Sequence, residues 1–244
     1  ALDKVELHIG ESQVETDTRM QRQKLGQDRR DIELGERAWR GKPKGTRRRY
    51  LDLQVVLERI SKQPQTTIAK IEGCALGGGH EFALACDMRF AARGKARFMQ
   101  MEVGMGILPC GVGASRMARQ VGLGRALEIA LGARDFDADQ AEDYGTVNCA
   151  LDADKIGIFV EDLAKRIALW PSESINATKQ AVYASIDMPI DQALHEEAYW
   201  LYQATSQTPA LKRFKWADEQ GAQFEVDNQR DWPDMLVKIQ DINE

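Results

Sequence analysis

Hydrophobic and polar positions along the chain alternate between two periods. Residues 50–62 (YLDLQVVLERISK) repeat apolar side chains at helical spacing, which predicts an amphipathic helix that Gln63-Pro64-Gln65 terminates. TTIAKIEG follows as a β-branched, half-buried strand, and Val5–Ile9 (VELHI) alternates like a second one. The later strand runs into Gly77-Gly78-Gly79 and then the helix-like EFALAC. A turn at ARGKA and a strand near Arg97-Phe98-Met99 come next, and 105–115 (MGILPCGVGAS) is Gly/Pro-rich loop. ASRMARQVG and GRALEIALGA read as helices, each closing at a glycine suited to the first position past a helix end. DFDADQAEDYG reads as a short helix stopped by Gly145, and VNCAL as a short strand. From residue 154 the pattern gives three long helices in succession, and the final DNQRDWPDML reads as polar and loose. Strands alternating with helices and then a helical tail predict an α/β core, residues 1–185, with a C-terminal helical region, 186–244.

Composition narrows the function classes. A chain of 244 residues with 43% hydrophobic content can bury a large core. A formal charge of −5 gives no general case for nucleic acid or an anionic membrane as partner. The exception is the polar, basic stretch from about residue 15 to 50, ending in KPKGTRRR. Arg47-Arg48-Arg49 reads either as a solvated helix start or loop, or as a grip on a phosphorylated ligand. Four cysteines without CxxC spacing point to reduced thiols and a cytoplasmic setting, and three scattered histidines argue against a zinc site. No apolar run is long enough to cross a bilayer and no signal peptide is visible, although the chain opens on Ala1 rather than Met.

Three consecutive glycines require a tight turn or a close backbone approach. A strand entering Gly-Gly-Gly ahead of a helix leaves backbone N–H groups free at the positive helix end, which attracts negative charge. The stretch lacks the Lys-Ser/Thr of a phosphate-binding loop, so the sharper reading is an oxyanion hole. Glu81 then falls in the first helical turn, as a dipole partner or as an acid/base. Glu102, before the Gly-rich loop, is a solvated loop residue or the second member of a carboxylate pair. Such a pair beside an oxyanion hole suits adding or removing water across a carbon–carbon bond next to a carbonyl.

The run from IAKIEGCALGGGHEFALACDMRFAA through FMQMEVGMGILPCGVGASRMARQVGLGRALEIALGARDFDADQAEDYGTVN resembles the enoyl-CoA hydratase/isomerase (crotonase) superfamily over residues 66–180. The GGG-x-E turn, the CD-x-R-x-A segment, the Q-x-E-V-G-x-G-x-x-P loop and the G-R-A-x-E-x-x-L-G helix carry the likeness. It implies a spiral of ββα repeats with a C-terminal helical region that mediates trimer or hexamer contacts. It also implies an acyl-CoA thioester substrate, with coenzyme A arriving as part of that substrate and no metal or redox cofactor. By resemblance, Gly78 supplies one oxyanion N–H, Glu81 and Glu102 hold the water and exchange protons, and Gly77, Pro109 and Gly111 border the substrate. His80 falls at a variable position and reads as packing or as support behind the site rather than as catalytic, while Cys110 and Val112 depart from the family's glycine-rich loop. Met99, Met101 and Met105 read as core or pocket walls, and Trp200 and Tyr202 as packing or interface residues.

The N-terminal side fits the pattern less closely. The first oxyanion donor maps to the Val5 N–H, with Leu2-Asp3 as the alternative register, and the early strands of the spiral are absent ahead of it. Three functions stay open: a hydro-lyase acting on a trans-2-enoyl-CoA, an enoyl-CoA isomerase using one glutamate, and a non-catalytic RNA-binding homologue suggested by the basic stretch from Arg22 to Arg49.

Overall fold

The computed structural model describes the backbone of residues 5–9 and, in full, residues 51–221 and 232–239. Leu2-Asp3, the basic stretch and Arg47–Arg49 lie outside the described residues. The chain divides into two compact units, one running up to Ile156 and one mainly from Gly157 onward. The 185/186 boundary drawn from the sequence falls inside a helix of the second unit, Ser172–Asp187.

In the first unit, β1 (Val5–Ile9), β2 (Thr67–Ile71), β4 (Met88–Ala92) and β7 (Cys149–Leu151) form a sheet in the order β1-β2-β4-β7. β3 (Cys74–Leu76), β5 (Arg97–Met99) and β6 (Phe136–Asp137) form a second, ordered β3-β5-β6. β2 and β4 run parallel with Ile68 opposite Met88, and β3 and β5 run parallel with Cys74 opposite Arg97. Only Glu72 and Gly73 separate β2 from β3, so one extended stretch feeds both sheets. The chain returns through α2 (Gly78–Ala85), giving a strand–strand–helix unit. Its core gathers Ile71, Leu84, Phe98, Met117 and Phe136.

The CD-x-R-x-A segment has a structural explanation. Asp87 Oδ2 accepts from both the backbone N–H and the hydroxyl of Thr67, tying the start of β4 to β2. The buried Arg89 guanidinium donates to the carbonyls of Thr146, Ala83 and Cys86. Two of those carbonyls belong to the last turn of α2 and its cap, where a helix leaves acceptors open and favours a cation.

Of the two readings of His80, the structure favours packing. It lies fully buried against Phe98 and Phe136, with Gln100 Nε2 3.1 Å from its Nδ1. Burial, aided by the Arg89 charge, pushes its pKa down from 6.5 to about 3. The folded state therefore refuses a proton that the unfolded chain accepts. Stability tied to His80 is intact above pH 6.5 and falls as the pH drops toward 3, at up to about 1.4 kcal/mol per pH unit. Urea titrations of the parent and His80→Met should show the parent losing ground to the variant between pH 7 and pH 5.

The structure places α1 at Asp52–Lys62, α3 at Gly113–Val121, α4 at Leu123–Gly132 and α5 at Ala138–Tyr144. Asp137 and Gln140 form a reciprocal capping box at the start of α5. One reading needs correction: α4 does not stop at a left-handed glycine. Gly132 is its last residue, and Ala133 takes the left-handed position at φ 45°.

The second unit is helical: α6 (Ile156–Ala168), α7 (Ser172–Asp187), α8 (Ile190–Gln207), α9 (Ala210–Glu219) and α10 (Trp232–Lys238). The segment WPDML is not loose, because Met235 and Ile239 bury against Ala217 beside Trp216 and Trp232. Proline at the second helical position and Asp234 in the first turn both suit a helix start. In α8, Tyr202 is largely exposed and Trp200 half-buried. Among the described residues no helix is long and apolar enough to cross a membrane.

Candidate active site

The glycine triplet is divided by role. Gly77 sits at φ 53°, ψ −121°, a conformation that side-chain-bearing residues rarely adopt, and its N–H donates to Met99 O at 2.8 Å. A Cβ built there would lie 2.7 Å from Glu102 Oε1. Gly77 therefore makes the turn and leaves room for a carboxylate. Gly78 is the first residue of α2, where a backbone N–H has no partner within the helix. A Cβ on Gly78 would meet nothing within 4 Å, so the approach to this N–H is open on the side-chain side.

Glu81, three residues on, is buried at 3% exposure. Its Oε1 accepts from Val112 N at 3.1 Å and Gly113 N at 2.8 Å, where α3 begins. The carboxylate thus serves as the anionic cap of α3, a favourable site for negative charge. The loop is cut to fit it: a Cβ on Gly111 would fall 2.5 Å from Glu81 Oε2, and one on Gly113 would fall 2.9 Å from Oε1 and 2.8 Å from Pro109 Cβ. Gly111→Ala should therefore displace the carboxylate, with turnover falling by about 10²-fold while circular dichroism is preserved.

Glu102 begins a single 3₁₀ turn, Glu102–Met105, and is only 9% exposed. Its Oε2 is buried without a hydrogen-bond partner. Burial pushes its pKa above the ordinary carboxylate value, and the Glu81 charge pushes it further in the same direction. The Cys110 thiol feels the same surroundings: burial raises it first, then the charges of Glu81 and Glu102. Two carboxylates and a thiol therefore share one electrostatic neighbourhood below the N-terminus of α2.

The structure thus brings together Gly77, Gly78, Glu81, Glu102, Pro109 and Gly111. Val5 opens β1, the neighbour of β2, and its own contacts lie outside the described residues. Of the methionines, Met101 lies beside Gly77 and Met99 is half-buried in β5. Met105 is 74% exposed, so it is not a core wall. Sequence reading did not single out Val112 and Gly113 as Glu81's anchors, nor Gln54 of α1, whose side-chain amide donates to Cys110 O at 2.7 Å. Among the described residues no group of three or more His, Cys, Asp or Glu is placed to hold a metal ion.

Comparison with known proteins gives the family and the fold. The enoyl-CoA hydratase/isomerase family model matches residues 31–224. A short-chain-enoyl-CoA hydratase from Clostridium acetobutylicum is 35% identical over 143 residues, covering 59% of this chain and 54% of that protein. A crotonyl-CoA hydratase from Syntrophomonas wolfei is 36% identical over 145 residues, covering 59% of this chain and 55% of the other. The crystal structure of an enoyl-CoA hydratase from Bacillus anthracis superposes with a TM-score of 0.65 at 29% identity, over 69% of this chain and 65% of that one. The chain spans about half the length of the curated relatives it matches.

Proposed function

The chain belongs to the enoyl-CoA hydratase/isomerase family, and we propose that it adds water to a trans-2-enoyl-CoA thioester. One observation carries the reading: two buried carboxylates share a site at the N-terminus of α2, one fixed by two backbone N–H groups and the other with an unpartnered oxygen. A pair in differing environments suits proton transfer at two adjacent carbons.

In the proposed reaction the thioester oxygen lies against the Gly78 N–H. Water gives a proton to Glu81 as its oxygen bonds to Cβ, and the π electrons move onto the thioester oxygen. The Gly78 N–H and the positive end of α2 stabilise that charge as it develops. The enolate then collapses, and Cα takes a proton from Glu102, which the raised pKa suits as the donor. Proton exchange with solvent resets both carboxylates, and the net change is one water added. No step calls for a metal or redox cofactor. The wider reading has the protein working in the cytoplasm as a homotrimer or hexamer.

The test is the fall in conjugated enoyl-thioester absorbance on crotonyl-CoA, with a 3-enoyl-CoA run alongside. Loss of absorbance on the first substrate supports hydration. Conversion of the second alone would point to the isomerase, and a folded chain inert on both would refute the proposal.

A further inference from the structure

Gln54, Glu58 and Ser61 recur at helical spacing on α1, at positions i, i+4 and i+7. All three bond to the one segment, 110–116, that anchors Glu81. Gln54 Nε2 donates to Cys110 O at 2.7 Å while its Oε1 accepts from Leu51 N at 2.9 Å. Arg116 of α3 donates to Glu58 Oε1 at 2.7 Å and to the Ser61 hydroxyl. Ser61 in turn donates to Leu57 O, which ties the cluster back to the helix. Apolar contact reinforces the seam: Leu57, Ala85 and Val112 bury together, and Leu53 Cδ2 would stand 3.0 Å from a Cβ on Gly111.

One residue, Gly111, separates Cys110, whose carbonyl Gln54 holds, from Val112, whose N–H holds Glu81. The loop between them has no side chain at Gly111 to wedge it in place, because the Glu81 carboxylate fills that space. Its position therefore depends on what grips its ends. On the α3 side the grip is helical hydrogen bonding and Arg116. On the Cys110 side it is the Gln54 amide, next to the Ala114 N–H that donates to Pro109 O at 3.2 Å.

We infer that Gln54 is a positioning residue: by fixing the Cys110 carbonyl it holds the Val112 and Gly113 N–H groups in register with Glu81, so α1 sets the geometry of the acid/base pair without touching substrate. The kinetic part of this inference rests on the hydration reading above. The structural part does not.

Two variants test it in the full chain. Gln54→Met keeps the volume and loses both hydrogen bonds. Gln54→Glu keeps the acceptor for Leu51 N but sets a carboxylate oxygen, which cannot donate, against the Cys110 carbonyl. Hydrogen exchange followed by mass spectrometry should show faster exchange in peptides covering 110–114 for both variants, with α4 unchanged. With crotonyl-CoA, kcat should fall by about 10- to 100-fold while KM stays near the parent value, as expected when a reacting group is displaced but substrate contacts remain. Unchanged exchange at 110–114 overturns the inference whatever the activity. Faster exchange throughout, α4 included, also overturns it, since that is general loosening. If the loop alone loosens and kcat holds, the kinetic role is refuted. A parent inert on crotonyl-CoA whose loop still loosens only in the variants would refute the hydration reading and leave the positioning role of Gln54 supported.

Discussion

With the reaction proposed above, Glu102→Gln should lower enoyl-CoA hydration by about 10²–10⁴-fold, the range for removing one member of a general acid–base pair, and at the same time gain stability near neutral pH. The two effects share a cause. Glu102 is buried, its Oε2 has no partner, and Glu81 adds a like charge nearby. Its folded pKa is therefore raised, so above the unfolded value of 4.5 the folded state holds a proton that the unfolded chain has released. Stability tied to this group is present below that pH and is lost as the pH rises through the folded pKa. Glutamine carries no such charge. Urea denaturation of the parent and the variant should diverge at pH 7 in favour of the variant and converge below pH 4.5. A variant that is inactive and no more stable than the parent would mean that Glu102 is not held against its own ionisation.

Gly77→Ala is the second large effect. Alanine would have to adopt φ 53°, ψ −121°, which costs about 1–3 kcal/mol in such a sparsely populated region. Its Cβ would also press to 2.7 Å from Glu102 Oε1. A carboxylate on an exposed side chain would swing aside cheaply, but this one is enclosed. Backbone strain and a displaced acid/base should appear together, as a lowered thermal midpoint and a fall in kcat of about 10². Gly78→Ala is the informative contrast, because beyond its chain neighbours and its own helix backbone its Cβ meets nothing within 4 Å. The folded protein should tolerate it, with midpoint near the parent's, and any loss of turnover would come from crowding whatever approaches the Gly78 N–H. If Gly77→Ala retains full activity, the turn does not fix Glu102.

Much of this was legible from residue order. The helical spacing of 50–62 and the Gln63-Pro64-Gln65 stop match α1, and TTIAKIEG and VNCAL match β2 and β7. The glycines marked a turn ahead of a helix because few other contexts tolerate three in succession. Sequence gave no way to divide their labour: that Gly77 spends its N–H on Met99 O depends on β5, which arrives some twenty residues later. The same limit hid the Glu81 anchor, since backbone N–H groups of Val112 and Gly113 leave no signature in side-chain chemistry. Gln54 looked like an ordinary polar position on an amphipathic helix, and only its long-range partner distinguishes it. The misread ends have local causes. Ala133 accepts a left-handed φ in place of the glycine before it, and WPDML becomes helical because Met235 finds a buried site on α9.

In the proposed reaction Glu81 and Glu102 act together to add water to an enoyl thioester. The most direct test incubates crotonyl-CoA with the chain in water labelled with heavy oxygen, beside the Glu81→Gln/Glu102→Gln double variant, and reads the product by mass spectrometry. The parent should yield a hydroxyacyl-CoA carrying one labelled oxygen, and the double variant background levels. Equal labelled product from both, or none from a folded parent, would contradict the proposed reaction.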